Sequence, residues 1–156
     1  MNELITTTFT DEIQYVKVEI GQEHFGIDIG MIDNIVRMQR ITRVPNVPSY
    51  IKGVINLRGE IVPIMNLRMK MGLEEIEYVK STRIIIIKTE AYGKIGMIVD
   101  AVRNVVNISE EQVEKMRFDS GEENRYVTGV AKVADELISL LDINAILIDK
   151  LSREEQ

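Results

Sequence analysis

Apolar and polar side chains alternate over Tyr15 to Ile20: Val16, Val18 and Ile20 fall on one side, Lys17 and Glu19 on the other. That period belongs to a strand. Gly21-Gln22 can turn the chain, and Phe25, Ile27 and Ile29 resume the alternation, so the first predicted element is a hairpin. A second is expected from Gly53–Leu57, Arg58-Gly59 and Glu60–Leu67, and a third from Thr82–Thr89, Tyr92-Gly93 and Lys94–Val99. A fourth is expected from Tyr126–Val133, Ala134-Asp135 and Glu136–Leu141. Short helical turns are predicted at 30–36, 66–72 and 109–116, with a C-terminal helix from Asn144.

The hairpins are related to one another. A shift of 70 places Gly26 on Gly96, Ile32 on Val102, Ile35 on Val105 and Val36 on Val106. A shift of 76 places Gly53-Val54 on Gly129-Val130 and Glu60-Ile61 on Glu136-Leu137. The same shift lays Ile64-Met65-Asn66-Leu67 over Leu140-Leu141-Asp142-Ile143. One β unit is used twice. Two lobes this small would each be marginal alone, so they are expected to pack together across an apolar seam, with strands exchanged between them and a groove where they meet.

Composition supports the β reading. There are 24 Ile and 16 Val against 9 Leu and 5 Ala, a β-branched excess that excludes an all-helical bundle. There is no Cys and a single histidine, His24, which excludes disulfides, thiolate metal sites and a His-rich metal cluster. No apolar run is long enough to span a bilayer, and Met1 to Thr10 lacks the pattern of a signal peptide, so the protein is expected in the cytoplasm without direct membrane insertion.

Charge is unevenly spread. Residues 1–36 carry one basic and seven acidic side chains, whereas residues 37–73 carry seven basic side chains and one acid, Glu60. A basic island in a chain of net charge −6 suits an acidic protein face. A small nucleic-acid-binding β barrel is a weaker reading, since the pI is near 4.9 and the only aromatic residue in the island is Tyr50. A ligand-binding protein that uses the inter-lobe groove is another alternative.

Catalytic motifs are missing: there is no phosphate-binding glycine loop, no carboxylate spacing tied to a metal, and His24 sits alone after a hairpin turn. No catalytic, cofactor-binding or metal-binding residues are expected. Val44-Pro45-Asn46-Val47-Pro48 is a stiff connection leading to Tyr50 and the 53–59 hairpin. The tip of that hairpin carries Arg58, a five-donor group suited to a carboxylate on a partner.

The run Pro45-x-x-Pro48-x-Tyr50-x-x-Gly53-Val54-Ile55-Asn56-Leu57-Arg58-Gly59-Glu60-Ile61-Val62-Pro63-Ile64 closely resembles the signature of the CheW family of bacterial chemotaxis coupling proteins. The resemblance extends to Phe25-Gly26-Ile27-Asp28-Ile29, Arg83-Ile84-Ile85-Ile86, Gly96 to Val102, Thr128-Gly129-Val130 and Leu137 to Ile143. It implies an all-β fold of two packed five-stranded SH3-like β barrels with short helices and a C-terminal helix. The expected organisation is a flexible N-terminus over 1–13, one CheW-like domain over 14–150 and a tail over 152–156. Within the domain the lobes would run over about 14–78 and 79–143, with the helix over 144–151.

The resemblance further implies a non-enzymatic adaptor, monomeric when free, that joins the cytoplasmic tip of a methyl-accepting chemoreceptor to the regulatory domain of the histidine kinase CheA, with no nucleic-acid partner. It assigns receptor binding to Ile32, Asn34, Ile35, Arg58, Val102 and Val105, and kinase binding to Met38, Arg40, Ile41 and Val44, read as an exposed apolar and basic stretch. Asn34 departs from the acid frequent in the family, which removes a negative charge from the receptor side.

Overall fold

The computed structural model describes residues 12–115 and 125–148. Eleven strands follow in order: β1 (Glu12–Ile20), β2 (Glu23–Asp28), β3 (Ile32–Arg37), β4 (Ile51–Leu57), β5 (Glu60–Asn66), β6 (Arg83–Thr89), β7 (Gly93–Val99), β8 (Ala101–Ser109), β9 (Val113–Lys115), β10 (Val127–Val133) and β11 (Glu136–Leu141). A short helix, α1 (Leu67–Lys70), follows β5, and a C-terminal helix, α2, covers residues 143–148. The expected continuation of α2 to 151 lies outside the described residues, as do 1–11 and the tail. Glu12 and Ile13, expected in a flexible N-terminus, instead pair with Ser109 and Ile108 of β8.

The strands form two sheets. One has the order β3-β6-β7-β5-β4; the other has the order β8-β1-β2-β11-β10-β9. Each curls into a small barrel, the first with five strands and the second with six, because the short β9 adds one. The sheets do not divide the chain at 78/79. The first lobe is built from the strands within 32–99 and the second from those within 12–28, 101–115 and 127–141, because the first hairpin of each repeat pairs with the strands of the other.

Glycine explains how the crossing closes. The β5–β7 and β2–β11 pairs are parallel and place Ile64 opposite Gly96 and Leu140 opposite Gly26, positions related by the two sequence shifts. A Cβ on Gly96 would lie 2.6 Å from Ile64 Cδ1, and one on Gly26 would lie 3.1 Å from Leu140 Cδ2. Each barrel is then shut by a segment crossing β4 or β10: Thr42 bridges Val54, and β9 pairs with Gly129 to Ala131.

Strand alternation divides the core among three places. Ile84 and Ile86 of β6 point into the first barrel with Ile55, Val62, Ile64 and Ile98. Ile108, Ala131, Ile138 and Leu140 fill the second. The remaining faces meet between the lobes, where Val16, Val18, Ile20, Phe25 and Ile27 pack against Ile85, Ile87, Ile95, Met97 and Val99. Among the described residues nineteen buried side chains join this seam, against six and four inside the barrels, so neither lobe has a core of its own large enough to stand apart. The four-residue run Ile84–Ile87 is apolar throughout because both of its faces are buried.

The helical turns expected at 30–36 and 109–116 are short where the structure describes them, and residue 116 lies outside the described residues. Only Ile29–Met31 and Glu110–Gln112 make 3-10 turns; strands β3 and β9 follow them, and β8 occupies 101–109. The apolar spacing of 32, 35 and 36 mimics a helix because a bulge at Asp33 shifts the phase of the strand: Ile32 faces the seam and Val36 the barrel interior. Arg103 is the equivalent bulged residue in β8, where Val102 packs on the seam and Val106 on the second barrel.

Candidate functional site

The β4–β5 tip is a two-residue turn with both residues left-handed, Arg58 at φ 54° and Gly59 at φ 88°. Such turns match the twist of the flanking strands. Asn56 Oδ1 fastens it by accepting from Gly59 N at 2.9 Å. Arg58 itself is exposed and makes no hydrogen bond or ion pair among the described residues, so its guanidinium is free for a partner.

Lys94 draws this tip to the start of β3. Its Nζ lies 2.9 Å from Glu60 Oε1 and 3.5 Å from Asp33 Oδ2. One cation thus gathers the Arg58 turn and the bulge beside Ile32 and Asn34 at one end of the first lobe. The Glu60 carboxylate, foremost, and Asp33 hold the Lys94 ammonium above its usual range. Asp33, Glu60 and Lys94 were not among the expected site residues; the bulge and the barrel closure that unite them join positions far apart in the chain.

A cluster of different charge occupies the equivalent place in the second lobe. Arg103 Nε and Nη2 donate to the two oxygens of Glu19 at 2.8 and 2.9 Å. His24 Nε2 lies 3.2 Å from Glu19 Oε2 and its Nδ1 lies 3.9 Å from Glu136 Oε1, while Lys17 donates to Glu136 at 2.8 Å. Arg103 above all keeps the Glu19 carboxyl below the ordinary range, and Lys17 does so for Glu136. These contacts hold the half-buried His24 between two carboxylates. Among the described residues no group of three or more His, Cys, Asp or Glu is arranged to hold a metal ion.

The six residues expected at the receptor surface fall into two kinds. Ile32 and Val102 are half-buried and pack on the seam, one from each lobe. Ile35 and Val105 are exposed, at 36% and 48%, so the sheets do not use them as core. Asn34 is half-buried, and its Oδ1 accepts from Ile35 N at 2.8 Å. The stretch expected to face the kinase is less exposed than its sequence suggested. Met38 and Ile41 pack against the first barrel's interior, because the chain crosses β4 there to close the barrel; Arg40 and Val44 are the exposed members.

The CheW-like domain family matches residues 14–150. The chain belongs to the CheW family. Its relatives include the chemotaxis protein CheW of Bacillus subtilis, 35% identical over 148 residues that cover 93% of this chain and 92% of that one. The chemotaxis protein CheW of Klebsiella aerogenes is 33% identical over 137 residues, covering 86% and 81%. Among solved structures, the scaffolding protein TtCheW from Thermoanaerobacter tengcongensis superposes with a TM-score of 0.76 at 33% identity, covering 83% of this chain and 88% of that one. The CheW fold, two packed β lobes, is therefore the fold found here, and the chain is a chemotaxis scaffold protein of this family. No helix among the described residues is long and apolar enough to cross a membrane.

Proposed function

We propose that the protein is a non-enzymatic adaptor that couples chemoreceptor cytoplasmic tips to the histidine kinase CheA in the cytoplasm, as a monomer when free. The observation that carries this reading is the grouping at the first lobe's end. Arg58, without an ion pair among the described residues, is separated by Gly59 from Glu60, which Lys94 joins to Asp33 between Ile32 and Asn34. Aliphatic Val102 and Val105 hold the matching positions of the second lobe to Ile32 and Ile35. An amphipathic receptor helix would lay aliphatic anchors along the exposed Ile35 and Val105 and a carboxylate on Arg58, the helix-in-groove mode of recognition. The kinase would be held at a different surface, around Arg40 and Val44 with Met38 and Ile41 behind them. Receptor state then reaches the kinase through geometry, and no bond is made or broken in this protein. Clustered partners supply the effective concentration that weak single contacts need.

The test is a titration of the full chain against a receptor tip fragment and the kinase regulatory domain, with Arg58→Glu and Ile35→Asp alongside and circular dichroism as the folding control. Both positions are exposed, so both variants are expected to fold. Each should lose receptor binding and keep kinase binding. Folded variants that bind the receptor as wild type does would overturn the assigned receptor surface.

A further inference from the structure

The first lobe carries a cleft that the receptor surface does not use. Arg37, Met38, Val79, Lys80, Thr82 and Arg83 line a cavity of about 500 Å3 where the end of β3 meets the start of β6. Arg37 and Arg83 are direct cross-strand partners, a placement of like charges that destabilises a sheet. Nothing acidic relieves it: among the described residues Arg37, Lys80 and Arg83 form no ion pair, and Arg83 spends its donors on the neutral carbonyls of Lys80 and Thr82, at 2.6 and 2.9 Å. Arg40 and Arg43, also exposed and without ion pairs among the described residues, continue the positive charge along the chain.

The fold does not require these arginines. The second lobe builds the same strand pair, β8 on β1, with Asn107 opposite Gln14 at the corresponding register, both uncharged. The first lobe alone keeps two cations face to face, in a chain whose net charge is −6. An anion from outside turns that repulsion into attraction. Val79, 61% exposed, and Met38 give the cleft an apolar side, which suits a carboxylate-bearing segment with an aliphatic residue rather than a bare ion. The cleft holds no aromatic side chain for stacking bases.

We infer that this cleft docks an acidic, aliphatic-bearing segment of the kinase regulatory domain, extending the Arg40–Val44 surface through the shared Met38. The inference rests on the coupling role proposed above and names the chemistry of its kinase contact.

Arg37→Glu/Lys80→Glu in the full chain tests it, since neither side chain makes a hydrogen bond or ion pair among the described residues. Binding of the kinase regulatory domain and of the receptor tip is measured from low to high salt, with Arg37→Gln as a milder variant. Wild-type kinase affinity should fall with salt; the double variant should bind the kinase at least about ten-fold more weakly at low salt, with a flatter salt dependence and unchanged receptor binding. Arg37→Gln should fall between them. A folded double variant that matched the wild type in kinase affinity and salt slope would overturn this inference alone. A wild type that failed to bind the kinase would overturn the coupling role and the inference with it. A single-stranded oligonucleotide in the same titration should not displace the kinase; displacement from the wild type but not from the double variant would overturn the assignment to an acidic protein segment.

Discussion

The two lobes are built alike and surfaced differently. Each takes the first hairpin of the other repeat, both carry a bulge at the same point, and a capped helix follows β5 in one and β11 in the other. Asn66 Oδ1 caps α1 through Met69 N and Asp142 Oδ1 caps α2 through Ala145 N, each at 3.1 Å. The carbonyls of Tyr50 and Tyr126 accept from the same two capping residues at 2.7 and 2.8 Å. Outside this frame the correspondence fails. Arg58 faces Ala134 across the repeat, Asp33 faces Arg103, Lys94 faces His24, and the Arg37–Arg83 pair faces Asn107 with Gln14. Features needed to close a barrel are common to both lobes. Arg58 and Arg37, each found in one lobe only, are exposed and form no ion pair among the described residues.

Substitutions at matched positions sharpen this comparison, and the barrel-closing glycines should show the largest effects. A Cβ on Gly53 would lie 2.1 Å from the Thr42 carbonyl oxygen at a φ of 140°, whereas on Gly129 the nearest atom is Val113 Cγ1, a side chain, at 2.8 Å. Gly53→Ala is expected to cost about 3 kcal/mol or more and Gly129→Ala about 1–2 kcal/mol, read by urea unfolding. Equal costs would mean that the two crossings are equally tight. Next come the parallel-pair glycines. Gly96→Ala, with two contacts under 3 Å, should cost about 2 kcal/mol, and Gly26→Ala, whose contacts begin at 3.1 Å, about 1 kcal/mol.

Acid and alkali should separate the lobes more gently. Glu19 and Glu136 sit below their ordinary 4.5, so their contribution is complete above that value and is lost as pH falls through the lowered ones. Lys94 sits above its ordinary 10.5, so its contribution is complete below 10.5 and is lost as pH rises through the raised value. Backbone signals followed by NMR should therefore change around Arg103 and Lys17 at the acid end and around Lys94 at the alkaline end. The reverse order would break the assignment of the two clusters. The smallest effect on stability belongs to Arg58→Ala, which copies Ala134 onto the other tip. It should change unfolding by less than about 0.5 kcal/mol while weakening receptor binding.

The four hairpins were legible because apolar strand runs, strictly alternating in the first, are broken by turn residues at each. Strands β3 and β8 were not. Their bulges at Asp33 and Arg103 convert a two-residue period into the 32, 35, 36 and 102, 105, 106 spacing of a helix. For Ile35 and Val105 the sequence left plain core open, and only the sheets reveal that they stay outside it. Met38 and Ile41 misled for the opposite reason: the crossing at Thr42 and Val54, invisible along the chain, turns them inward.

By itself the sequence determined the β class, the duplication, the hairpin turns and the Arg58 tip, because each depends on residues close together in the chain or on glycines whose spacing repeats. The tertiary structure alone decided which hairpin joins which lobe, that most of the core lies between the barrels, and that Lys94 ties Asp33 to Glu60. Those outcomes depend on which buried faces meet and on loops closing over long separations, and no local period records either.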